Sequence, residues 1–157
     1  MKTTREEAHE LIHDTTVSKL NELLEKSYDA EKGFKHAIEK VDNDRLKEYF
    51  KQRAAQRSHF ATELHQQLHQ LNEEPSTTGS TAGDLHRSWM DIKAAFSSDN
   101  EESILEECIR GEKASVDEYK EILKSETLLA EVVPILENQW KQVENSLSTV
   151  KKLEDLQ

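Results

Sequence analysis

Apolar side chains in this chain recur three and four residues apart over long stretches, in four separate blocks. That spacing follows the 3.6-residue turn, so each block reads as an amphipathic helix with one stripe to bury. A lone stripe must find other stripes, and four of them close around a shared core. Only 4 glycines and 2 prolines occur in 157 residues, so little interrupts the helices.

The first block predicts a helix from about Thr16 to Val41. Its stripe is Val17, Leu20, Leu24, Phe34, Ile38 and Val41, with Tyr28 and Ala37 at the margins. Asp14, Thr15 and Thr16 are candidate caps. Residues 1–15 read as an N-terminal extension, with a short helix through Ala8, Leu11 and Ile12, and residues 16–157 as one domain. Val41 to Asp44 reads as a turn. A second helix then runs to about Asn72, with Leu46, Tyr49, Phe50, Arg53, Arg57, Phe60, Leu64, Leu68 and Leu71 on one face.

Pro75 to Gly83 is a linker rich in Ser, Thr and Gly. A short helix to about Phe96 follows and turns Leu85, Trp89, Ile92 and Phe96 toward the bundle. Asp99 or Asn100 caps a third long helix reaching about Lys124, with Ile104, Leu105, Cys108, Glu112, Val116, Tyr119 and Leu123 inward. The fourth runs from about Thr127 to Leu156, with Val132, Val133, Leu136, Trp140, Val143, Leu147 and Val150 inward. Pro134 lacks the N–H that would reach Ala130, which predicts a kink or an irregular first turn. The outer two connections are short and make antiparallel hairpins, while the middle one is long. Two hairpins joined by a long crossover define an all-α, ferritin-like four-helix bundle.

No apolar run long enough to cross a bilayer occurs. The charged start, Met1 to Val17, has no apolar core and is not expected to be a secretory signal. The single cysteine, Cys108, excludes an internal disulfide and suits a reducing cytoplasm. The formal net charge is −11, and residues 99–157 carry 15 acidic against 7 basic side chains. No basic stripe is visible, so nucleic acid is not an expected partner.

Di-iron bundles draw a Glu-x-x-His pair from each of two helices and a carboxylate from each of the other two. All 7 histidines here lie at or before His86, so the last helix has none to give. The polar residues nearest the stripe centres are Glu31, Arg57 with Arg53 beside it, and Glu112, while Gln139 flanks the fourth stripe. One reading is a site for iron or manganese on Glu31, Glu63 and Glu112. The other is an interior salt-bridge network of Glu31, Arg53, Arg57 and Glu112, and the arginines favour it. A guanidinium keeps its proton, cannot ligate a metal and repels a nearby cation.

His65 with His69, and His9 with His13, stand four apart and could chelate zinc or nickel. Both His65 and His69 fall outside the apolar stripe, so solvated surface histidines are the plainer reading, as for His59 with Glu63. His86, Arg87 and Trp89 are expected to anchor the crossover helix to the bundle. Cys108 lies on an inner face, where a buried thiol is inert packing. No phosphate loop, nucleophile elbow or Cys-x-x-Cys motif occurs.

Several segments stand out together: Leu20-Asn21-Glu22-Leu23, Gly33-Phe34 with Ala37, Gln56-Arg57 with Phe60-Ala61, and Glu63-Leu64. Gly79-Ser80, Gly83 and His86-Arg87-Ser88-Trp89-Met90-Asp91-Ile92-Lys93 follow, then Arg110-Gly111-Glu112 and Gln139-Trp140. From Val17 to Leu153 the chain resembles a bacterial family of ferritin-like four-helix-bundle proteins of unknown function. The resemblance implies a ferritin-like fold in a cytoplasmic, stress-linked bacterial protein, and supplies no established activity to carry over. Family members often carry a histidine near the end of the last helix, where this chain has Ser146. The expectation is a non-enzymatic, self-associating binding or scaffold protein without a cofactor. The rival is an iron or manganese carboxylate protein of ferroxidase or oxidase type.

Overall fold

The computed structural model of the chain describes residues 3–75 and 100–150. Within them it is all-helical: α1 (Thr4–Lys40), α2 (Asp44–Gln70), α3 (Glu101–Ser125) and α4 (Val133–Thr149). Helices α1 and α2 pack as one hairpin, α3 and α4 as another, and α1 also lies against α3. The result is an all-α four-helix bundle. The expected crossover helix through Leu85, Trp89, Ile92 and Phe96 lies outside the described residues, as do its anchors His86, Arg87 and Trp89.

Local chemistry sets the helix ends. Asn43 caps α2 by accepting from Leu46 N at 3.0 Å, and Asn100 caps α3 by accepting from Ser103 N at 3.2 Å. Asn72, at φ 60°, closes α2 in the left-handed region. There Glu73 N donates to Leu68 O and Asn72 N to His69 O, each at 3.0 Å, which satisfies the last carbonyls. The Glu101 carboxylate, in the first turn of α3, accepts from Asp42 N at 2.8 Å and Asn43 N at 2.9 Å. That contact ties the α1–α2 turn to the second hairpin.

Two helix starts differ from the sequence expectation. Helix α1 is continuous from Thr4, because Thr3 and Glu6 form a reciprocal capping box. Its first turns, through Leu11, are exposed. Asp14, Thr15 and Thr16 are therefore helix interior. Thr16 is buried; its hydroxyl donates to Ile12 O at 2.7 Å and accepts from Leu129 N at 3.0 Å. Helix α4 begins at Val133, not Thr127, with Pro134 in its first turn. A missing N–H costs nothing there, since first-turn amides lack helical partners anyway.

The core falls into two larger clusters with a small one between. One gathers Phe34, Leu46, Phe50, Ile104, Leu105 and Cys108. The other gathers Leu20, Leu24, Leu64, Leu68, Tyr119 and Leu136. Phe60, Val116 and Val143 form the small cluster. On α1 the buried seam runs through Leu20, Leu23, Leu24, Ser27, Ala30, Phe34 and Ala37, and on to the C-cap Val41. On α4 it includes Val132, Leu136, Gln139, Val143 and Val150. Trp140, expected inward, is half-buried on the flank, with Lys120 Nζ 5.0 Å and Lys141 Nζ 5.8 Å from its ring centre.

Thr16→Val keeps the side-chain shape and removes the acceptor for Leu129 N–H. The loss is expected to cost about 1–3 kcal/mol, the range for a buried donor left without a partner. Urea unfolding measures it, and an unchanged midpoint would mean that water replaces the hydroxyl.

Candidate functional site

Between the two large clusters lies a layer of polar side chains. Arg57 of α2 and Glu112 of α3 are 2% and 0% exposed, and Arg57 Nη2 donates to Glu112 Oε1. The guanidinium is held on other sides as well. Nη1 donates to Gln56 Oε1 at 2.8 Å, and Cζ lies 5.9 Å from the Phe34 ring centre and 5.6 Å from that of Phe60. Aromatic faces carry negative potential, so these contacts replace part of the lost hydration.

Arg53, one turn before Arg57, is half-buried. Its Nη1 donates to Ser146 Oγ of α4, and its Cζ lies 5.6 Å from the Tyr49 ring centre. Three buried atoms in this layer have no hydrogen-bond partner: Tyr49 Oη, Arg53 Nε and Glu112 Oε2. Burial pushes the Glu112 carboxyl above the ordinary carboxylate range, against the opposing pull of Arg57 and Arg53. Burial also raises the Cys108 thiol well above its usual value, helped by the nearby Glu112 charge, which leaves it a poor nucleophile.

A second polar group lies further along the bundle. Tyr119 Oη of α3 donates to Gln139 Oε1 of α4 at 2.6 Å. Gln139 Nε2 donates to Glu63 Oε1 at 3.2 Å and to Phe60 O at 3.4 Å, both on α2. Buried Ser27 of α1 hydrogen-bonds to the Tyr119 hydroxyl. The amide thus joins α2, α3 and α4 directly and α1 through Tyr119, and both of its N–H donors find acceptors.

The three carboxylates considered for iron or manganese are not brought together. Glu31 was expected beside Arg57; instead it sits half-buried on the flank of α1, with Lys35 Nζ 2.9 Å from its Oε1. Neighbouring small residues, Ser27 and Ala30, hold the inside positions of that turn. Glu63 serves Gln139, with His59 Nε2 at 3.8 Å, and Glu112 serves Arg57. Among the described residues no group of three or more His, Cys, Asp or Glu side chains is placed to hold a metal ion. Among the described residues, Glu31, Glu63 and Glu112 do not make a shared donor set, and a guanidinium takes the inner carboxylate.

The histidine pairs are at the surface. His65 is half-buried and His69 exposed, with ring centres 4.8 Å apart. His9 is exposed, and His13 Nε2 lies 3.2 Å from Glu73 Oε1. Sequence reading did not single out Ser27, Tyr49 or Ser146 as polar partners. Small hydroxyls and tyrosines are compatible with apolar stripes, so only the inward direction of their hydroxyls reveals them.

A bundle whose interior layer is built on an ion pair is the class this geometry defines. The family described as a domain of unknown function (DUF2383) matches residues 15–125, and the chain belongs to it. Among curated proteins no relative matches the chain.

Removing one member of the buried pair strands the other. Glu112→Ala is expected to cost on the order of 3–5 kcal/mol, whereas Arg57→Met with Glu112→Leu is expected to be neutral or stabilising. Thermal and urea unfolding of the three proteins check this, and equal losses in both variants would contradict it.

The raised Glu112 pKa gives a second test. A carboxyl whose folded pKa lies above its unfolded value adds stability that is complete below that unfolded value. The contribution is lost as pH rises through the folded value. Wild-type stability relative to Glu112→Gln should therefore fall as pH rises above 4.5, the ordinary value. Urea midpoints of both proteins across that range measure the slope; a rising difference would show that Arg57 outweighs desolvation.

Proposed function

We propose that the chain is a non-enzymatic, ferritin-like bundle acting as a binding or scaffold protein in a bacterial cytoplasm. The observation that carries this reading is Arg57, sealed in the interior and bonded to Glu112. A carboxylate metal centre needs acidic ligands turned toward a shared cation, and a permanent positive charge beside the inner glutamate opposes that. The ferritin-like part of the reading rests on the two hairpins and the long segment between α2 and α3. The stress-linked role rests on the sequence resemblance, and the cytoplasmic setting on that and on a lone, buried cysteine. Self-association stays outside the proposal, since Leu11 is the only large apolar side chain exposed among the described residues.

Anaerobic iron loading followed by air tests the reading. The expected result is no iron binding beyond that lost on His65→Ala with His69→Ala, and no fast oxidation absorbance. Stoichiometric iron with rapid oxidation, abolished by Glu112→Ala, would replace the proposal with the ferroxidase reading.

A further inference from the structure

His65 and His69 stand one turn apart on α2, on the flank that leaves the core. Residues four apart share a helix face, so the two imidazoles project side by side. His69 is exposed and His65 half-buried, so an ion in solvent can reach both rings. Other histidines lean on carboxylates: His13 Nε2 lies 3.2 Å from Glu73 and His59 Nε2 3.8 Å from Glu63. Among the described residues, neither His65 nor His69 has a hydrogen-bond or ion-pair partner, and each ring meets the other. That separates this pair from His9 and His13, which have the same spacing in sequence but a second ring already engaged by Glu73.

The separation of the rings fits a single metal ion. A ring nitrogen binds zinc at about 2 Å, which sets each ring centre roughly 3 Å from the metal. Two rings at a tetrahedral angle then have centres about 5 Å apart. Those of His65 and His69 are 4.8 Å apart. The rings are tilted by 57° and not stacked, and the outer torsion of histidine is soft, so one nitrogen of each can turn to a common point at little cost. Beside His65 a groove of about 360 Å³ opens between α1 and α2, lined also by Glu31, Ser58, Thr62 and Gln66. It gives space for water or an incoming ligand on the positions of the metal that two histidines leave open. The net charge of −11 favours the approach of a cation.

We propose that His65 and His69 form an open site for one divalent ion of the imidazole-preferring class, zinc, nickel or copper, with two protein ligands and the remaining positions turned to solvent. Structural zinc sites are closed by four protein ligands, so a half-open one suits an ion that is exchanged or offered to a further ligand. The site is separate from the interior: iron oxidation reads Glu112, and zinc binding reads the α2 flank, so either idea can fail alone.

The test is a zinc titration of the full chain, without an affinity tag, read by calorimetry and by imidazole C–H resonances in proton–carbon spectra. One zinc per chain is expected, with the His65 and His69 resonances, assigned by their loss in His65→Ala and His69→Ala, moving together. Chelation makes the second bond intramolecular, so each single substitution should weaken binding by about tenfold or more. His9→Ala with His13→Ala should leave the affinity unchanged. A single His65→Ala or His69→Ala that binds zinc as tightly as the parent would show two independent rings and overturn the site. So would the absence of saturable zinc binding, or its loss in the His9→Ala, His13→Ala protein.

Discussion

The helices close around an arginine and a glutamate that have left water together. Arg57 and Glu112 come from different hairpins, so neither hairpin can bury its charge alone. Taking either ion out of water costs several kcal/mol, and only good geometry with added hydrogen bonds offsets that. The contacts on Arg57 meet this demand in part, through Glu112, Gln56 and the Phe34 and Phe60 rings. Glu112 is less well served, because its Oε2 has no partner. The pair thus joins the two hairpins at one register. A slipped pairing of α2 against α3 would leave two buried ions apart, which is the costlier state.

The neighbouring Gln139 group solves the same problem without charge. It accepts from Tyr119 and donates to Glu63 and the Phe60 carbonyl, so its amide is satisfied. Glu63 keeps part of its side chain in solvent, which spares its ionised form the full desolvation cost. The polar layer therefore grades from a sealed ion pair, through a neutral amide, to a half-exposed carboxylate. Apolar clusters on both sides exclude water from its centre.

Much of this was legible from residue spacing. The stripes of α2 and α3 placed Arg57 and Glu112 at their centres, and both are buried and paired. The α1 and α4 seams were harder to read. On α1 most of the expected stripe is buried, including Leu20, Leu24, Phe34, Ala37 and Val41, while Ile38 is half-buried and Glu31 lies on the flank. Leu23, Ser27 and Ala30, which the stripe does not include, complete the buried seam. Small and polar residues occupy that seam, so hydrophobicity pulled the reading toward its larger neighbours. The same bias favoured Trp140 over Gln139 on α4. Close helix approach selects small side chains on the seam and leaves large amphipathic ones on the flank, where lysines cover them. The early start of α1 was hidden for another reason. Its first turns bury nothing, so only the Thr3–Glu6 capping box marks them.

Charge reads differently at the two scales. The chain as a whole carries −11, and among the described residues most acids are exposed or half-exposed, where repulsion is screened and water is the partner. Around Glu112 the balance is local: two guanidiniums, Arg53 and Arg57, act on that one carboxylate. Burial decides how that surplus is shared. Arg57, closed off between aromatic rings, takes the carboxylate, because an unpaired ion there would have no access to water. Arg53 lines an open cleft and can keep its charge against solvent, needing only Ser146 to hold its orientation. The glutamate's position therefore follows from which arginine is sealed.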